Sequence, residues 1–225
     1  MSQTQSPLLA DRPDGRLAAA VIAACAIVAI LAVAQHPVVA THAPAQAIPE
    51  LVQLGPTDRM VHGILIAVMA ALLFGFSVFS LRRGFARQST VVGLIAYAAG
   101  VGAMIGAALI DGFVTPDIAA RYVRVSPEDI TAAMPLLLFS AVAIQNLTKL
   151  GFVAMSTGIF GWSASLLRSP GTLRASGILG MAAALLSLGI VAYTHYLNPH
   201  ILGAIVIVQA LWYLAVAGLL VTRRV

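Results

Sequence analysis

Residues His200–Val221 read HILGAIVIVQALWYLAVAGLLV, and Thr222-Arg223-Arg224 follow. No charged side chain occurs in those 22 residues. At 1.5 Å per helical residue the stretch covers about 33 Å, enough to cross a hydrocarbon core of ~30 Å. A helix on a soluble protein keeps a polar stripe for water. Here Gln209 is the only strongly polar side chain deep in the run. The stretch reads as a transmembrane helix.

Five earlier stretches have the same character: Leu17–Ala34, Met60–Leu81, Thr90–Phe113, Lys149–Leu167 and Ser176–Leu197. The expected fold class is therefore all-α, a polytopic membrane protein with six transmembrane helices in one membrane domain covering residues 1–225. Composition agrees. Of the 225 residues 60% are hydrophobic and 9% are charged, against about 25% charged in soluble domains. The first stretch has features of a signal peptide, with Arg12 and Arg16 ahead of it and Ala40-Thr41-His42-Ala43 behind. Its apolar run is longer than the usual ~7–15 residues, so it reads as a retained helix. The lone cysteine, Cys25, lies in this run and leaves no internal disulfide or multi-cysteine metal motif to consider.

The net charge of +5 does not point to nucleic acid. The arginines stand singly or in pairs between apolar runs and form no basic face interleaved with aromatics. They act as topology signals. Arg12, Arg16, Arg82, Arg83, Arg87, Arg168, Arg174, Arg223 and Arg224 fall on one side of a six-helix threading, and Arg59, Arg121, Arg124 and Lys149 on the other. Positive residues mark the cytoplasmic side. The expected location is the cell inner membrane, with both termini cytoplasmic.

The connections differ in kind. The cytoplasmic links Arg82–Ser89 and Arg168–Ala175 are short and basic. The outer link Gln35–Arg59 contains Pro37, Pro44, Pro49 and Pro56, which argue against a continuous helix. In the second outer link, Ser126-Pro127-Glu128-Asp129 is a helix start with a serine cap, proline in the first position and acids in the first turn. A helix from Pro127 to Leu167 would measure roughly 60 Å, twice the membrane core. The expectation is an additional amphipathic, interfacial helix over residues 127–147 on the outer face, turning into the bilayer near Asn146. The third span is rich in glycine and alanine, and Gly102 and Gly106 permit close helix approach. That places this helix in the bundle centre, or against other membrane subunits.

All five histidines, His36, His42, His62, His195 and His200, fall at or beyond the outer helix ends. Asp111 lies at similar depth in the third span. Imidazoles with a carboxylate suit zinc, copper or iron, and haem is the alternative cofactor. The expected metal ligands are His62, Asp111, His195 and His200. Asp58 lies four residues before His62 on the same helix face and can orient its ring. Lys149 lies about 28 Å above Arg168, at the outer boundary, where it can pair with Asp111. No tight motif such as His-Glu-x-x-His is present. Two look-alikes fail: Ser163 in Gly161-Trp162-Ser163-Ala164-Ser165 sits at the end opposite every histidine, so no base reaches it. The glycines around Gly180 and Gly189 lack the lysine of a phosphate loop.

The functional expectation is an outer polar pocket that binds a transition metal or haem for redox or hydrolytic chemistry. The alternatives are an accessory subunit of a larger membrane complex, or a small permease or channel using that pocket as its vestibule. The partners expected are the lipid bilayer and other membrane subunits.

Overall fold

The computed structural model describes residues 15–39, 44–123 and 127–225. Among them lie seven α-helices: α1 (Gly15–Ala34), α2 (Pro44–Arg83), α3 (Gln88–Leu109), α4 (Thr115–Tyr122), α5 (Pro127–Leu167), α6 (Thr172–Tyr193) and α7 (Pro199–Val221). A π-helical turn, Ile110–Val114, joins α3 to α4 without a break. Six helical stretches are long and apolar enough to cross a membrane, with α3, the π turn and α4 counted together.

The six long helices pack as a closed ring in chain order. α1 lies against α2, α2 against α3, α3 against α5, α5 against α6, α6 against α7, and α7 returns to α1. Short links between successive long helices make ring neighbours antiparallel. The two ends of the described chain meet accordingly: the Arg82 side chain lies beside Gly15 and its Nε donates to the Val225 carbonyl at 3.1 Å. This is the arginine end. Arg83 is buried there and donates to Ser165 Oγ at 2.8 Å, and Arg224 donates to Thr172 Oγ1 at 2.6 Å.

Aromatic side chains fill the axis of the ring. Phe76 from α2 stacks on Trp162 from α5 (5.1 Å, 16°) and on Trp212 from α7 (5.4 Å, 3°). Tyr97 from α3 and Tyr213 from α7 close the group. The two tyrosine hydroxyls are satisfied in one network: Tyr97 OH donates to Tyr213 OH, Tyr213 OH to Gln209 Oε1, and Gln209 Nε2 to Ser156 Oγ. Gln209 thus bonds across helices, the common use of a buried amide in a span.

The structure corrects the placement of the third span. α3 is a ring member rather than a central helix. Its close contact is with α5, through Gly93 and Gly100 facing Gly158 and Gly151. A Cβ on Gly100 would lie 2.7 Å from the Gly151 carbonyl oxygen, and one on Gly158 2.7 Å from the Gly93 carbonyl oxygen. Among the described residues nothing lies within 4 Å of a Cβ added at exposed Gly102, and one added at Gly106 meets only Leu147.

Two expectations about the other end, where the histidines lie, are also corrected. α2 runs uninterrupted from Pro44 through Pro49 and Pro56 to Arg83. α5 runs as one helix of 41 residues, with Pro135 inside it and no break near Asn146. The physical reason is shared. The extended turns of α2, α4 and α5 bury one another's apolar faces, with Ile48, Ala119 and Ala133 fully enclosed. Burial of those faces outweighs the local proline penalty of ~3 kcal/mol or more. Residues 127–147 are therefore the far end of α5. The additional amphipathic helix at this end is α4, which buries Pro116 and Ala119 and exposes Asp117 and Arg121. Asp117 pairs with Arg59 of α2. Ser126, the expected cap of α5, lies outside the described residues.

Candidate metal centre

The π turn at the end of α3 sets the site. Its extra residue shifts the backbone so that the Thr115 amide and hydroxyl both donate to the Ile110 carbonyl, the hydroxyl at 2.9 Å. Such turns are rare and frequent at functional sites. This one aims Asp111 inward and lays the bare backbone of Gly112 against His62. A Cβ on Gly112 would stand 2.4 Å from His62 Cβ, so only glycine fits.

His62 comes from α2 and is buried at 3% exposure. Its Nδ1 lies 2.9 Å from the Asp58 carbonyl oxygen, and Asp58 Oδ1 stands at the same distance without accepting a directed hydrogen bond. The second imidazole, His36, comes from the segment just after α1. Its Nδ1 lies 2.8 Å from the Pro37 carbonyl oxygen. The two rings meet edge to face with centroids 4.9 Å apart. Both turn their far nitrogen toward one atom: His62 Nε2 is 3.3 Å and His36 Nε2 is 3.5 Å from Asp111 Oδ2.

Proton accounting constrains this cluster. A carbonyl oxygen only accepts, so each Nδ1 is the protonated nitrogen. A neutral ring then presents a lone pair at Nε2, and the atom facing it is a carboxylate oxygen, which also only accepts. Two imidazole lone pairs and a carboxylate need positive charge between them, supplied by extra protons or by a metal ion. The spacing accommodates either: 3.3 and 3.5 Å lie within ion-pair range and close to the roughly 3.3–3.4 Å that separates ligands bound tetrahedrally at about 2.0–2.1 Å. His36, Asp58 and His62 also each offer a ligand atom, all within 4.8 Å of one another. This group can hold a metal ion.

Of the residues expected from sequence, the structure brings together His62, Asp111 and Asp58, with Asp58 behind His62. It does not bring in His195 or His200. Both are exposed around the Thr194–Pro199 link, and neither lines the cavity beside the cluster. The Asn198 side chain caps α7 by accepting from the Ile201 amide at 3.0 Å, which starts the helix with His200 on its outside. Lys149 is not paired with Asp111. Its ammonium donates to the His195 carbonyl at 2.7 Å, and the neighbouring Gln145 clamps Leu197 with bonds to both its amide and its carbonyl. These residues order the link between α6 and α7. His42 lies outside the described residues.

Sequence reasoning passed over His36 because it follows a helix rather than sitting on one. A signal was available: Pro37 stiffens the backbone immediately after it, and its position two residues past the first apolar run puts it level with His62.

Haem held between both imidazoles does not fit this arrangement, because the macrocycle would have to lie in a gap between the two rings. Rings meeting edge to face at 4.9 Å, with Asp111 reaching both, leave no such gap.

A cavity of about 460 Å³ opens beside the cluster. His36, His62, Asp111 and Thr115 line its polar end, and Ala29, Met69, Met104, Phe152 and Val206 its deep end. Comparison of the chain with protein-family models, curated proteins and solved structures found no match.

Proposed function

We propose that this chain is an inner-membrane protein with cytoplasmic termini and a mononuclear transition-metal centre at its outer face. The ligands are His36 Nε2, His62 Nε2 and Asp111, and the metal is zinc or iron. The observation that carries this reading is that both imidazoles spend Nδ1–H on carbonyls and aim Nε2 at one carboxylate oxygen. A metal-ligating histidine ordinarily donates its other nitrogen to a carbonyl or carboxylate, which fixes the ring and raises its basicity. Two imidazoles and one carboxylate are the ligand set of zinc and non-haem iron sites, and the absence of thiolates near them argues against a soft-ligand copper site. Three protein ligands leave coordination positions open. Open positions distinguish catalytic from structural centres, so redox or hydrolytic chemistry on a molecule entering the cavity is the expected activity.

Elemental analysis of the purified protein tests this. The wild type carries close to one equivalent of zinc or iron, while His36→Ala, His62→Ala and Asp111→Asn carry none at matched expression. A wild type that is free of metal after growth and purification without chelators, and takes up neither ion on titration, ends the metal reading. The cluster would then be held by protons. In that event the accessory-subunit reading comes first, favoured by the exposed, unfilled surface at Gly102 on α3, where a partner helix can approach closely.

A further inference from the structure

Three helices describe the cavity beside the cluster in the same way. On α2 its lining includes His62 and, deeper, Met69; on the π turn and α3 it includes Asp111 and Met104; and it includes His36 and, back in α1, Ala29. Each interval is seven residues, a descent of about 10 Å where helical. In all three the residue nearer the histidine end is ionisable and the deeper one apolar. α5 and α7 contribute Phe152 and Val206 at the deep end, and a second small void continues past those two side chains toward Tyr213. Val38 and Tyr196, at the mouth, are exposed. The cavity therefore carries an ionisable cluster toward its opening and is mostly apolar below it, with Gln145 and Thr148 of α5 also on its wall, and its volume is in the range of small-molecule sites.

Water gains little from such a space, because it finds few polar partners below the mouth. A rigid polar solute would strand its own hydrogen-bonding groups there at a cost. A molecule with an oxygen-bearing head and one medium-length apolar tail matches both ends. We infer that this cavity binds a single-tailed, lipid-soluble amphiphile, its head oxygen at the His36–His62–Asp111 cluster and its tail among Met69, Met104, Phe152 and Val206. The inference rests on the metal reading for the head, which takes an open coordination position, and on the cavity alone for the tail. A quinol ring and an aliphatic alcohol supply the same head chemistry.

The test reconstitutes the full chain in phosphatidylcholine vesicles with a decanol probe carrying a diazirine at the far end of its chain. After irradiation, the labelled residues are located by mass spectrometry. Label is expected on Met69, Met104, Phe152 or Val206. Unlabelled 1-decanol and decylubiquinol should both compete, and their relative potency identifies the head preferred. Decane should compete at least about tenfold less well, since a hydrogen bond or ligand contact to a charged group is lost with the head. Val206→Trp and Leu65→Trp, which fill the cavity from different helices, should each reduce labelling at least about tenfold while metal content stays at the wild-type level. Label confined to lipid-facing Ile95, Leu185 and Leu186 overturns the inference, as does cavity labelling that both tryptophan variants leave intact. Equal competition by decane overturns the head assignment. Metal content is measured on the same samples, so a metal-free protein that still labels in the cavity separates failure of the metal reading from failure of this one.

Discussion

Replacing Gly112 with alanine is the sharpest available perturbation, because it adds one methyl group at the point where the π turn touches His62. Built on the present backbone, the new Cβ lies 2.4 Å from His62 Cβ, 2.7 Å from Cγ and 3.0 Å from Nδ1. Carbon atoms rest at about 3.5–4.0 Å, so His62 and the π turn must separate by roughly 1 Å or more. Neither neighbour is the free end of a flexible chain: His62 Cβ is rooted in α2, and the turn is fixed by the Thr115–Ile110 bonds. Overpacking of this kind costs about 1–3 kcal/mol of stability. The effect on the centre is larger, because metal sites hold their ligand distances within about ±0.2 Å. Gly112→Ala is therefore expected to lose most of its bound metal while remaining folded. Gly63→Ala, one residue from His62, is the control. Nothing lies within 4 Å of its added Cβ, and glycine to alanine inside a helix is worth about 0.8–1.0 kcal/mol in the favourable direction. Metal content by elemental analysis and unfolding by a fluorescent thiol-free thermal assay read both variants. Full metal occupancy in Gly112→Ala, at wild-type stability, would refute the argument that this glycine sets the ligand geometry.

Asp58→Asn keeps His62 tethered to the Asp58 backbone carbonyl and removes only the carboxylate charge, so metal affinity should fall about 10–100-fold rather than vanish; a complete loss would make Asp58 a direct ligand. His195→Ala and His200→Ala should leave metal content unchanged, and a loss in either would show that the link between α6 and α7 folds over the cluster. In intact cells a cysteine at Gln46 should react with an impermeant thiol reagent and one at Gln88 should not, because Cys25 is buried and gives no background; the reverse pattern inverts the topology. Gly100→Leu should prevent assembly or destabilise the protein strongly, since a Cβ there already stands 2.6 Å from Met155 Cγ, whereas Gly102→Leu should be tolerated in the isolated chain.

The six spans were legible in the sequence because a membrane imposes one long-range rule, an uninterrupted apolar length, that every span must satisfy locally. The links were less legible because their structure depends on partners distant in the chain. Pro49 and Pro56 argue against a helix when read alone, yet Ile48 of the same segment is fully buried between Ala119 and Ala133. No local signal carries that contact. The glycines show the same limit in a different form. Gly102 and Gly106 have the spacing for close packing, but spacing does not tell which face of α3 meets α5, and Gly93 and Gly100 occupy that face.

The candidate cluster was half legible for a related reason. Depth can be counted along a helix, so His62 and Asp111 were placed at one level correctly. Depth does not fix the angular position around a ring of six helices. His195 and His200 share that level as well, but they lie at the junction of α6 and α7, while the cluster is built where the chain leaving α1 crosses α2 and the π turn. His36 completes the cluster because α1 and α2 are neighbours in both chain and space. The closed ring in chain order therefore explains the membership: consecutive segments of the chain supply His36, His62 and Asp111 to the cluster, and α5, α7 and the link between α6 and α7 wall the cavity on its far side.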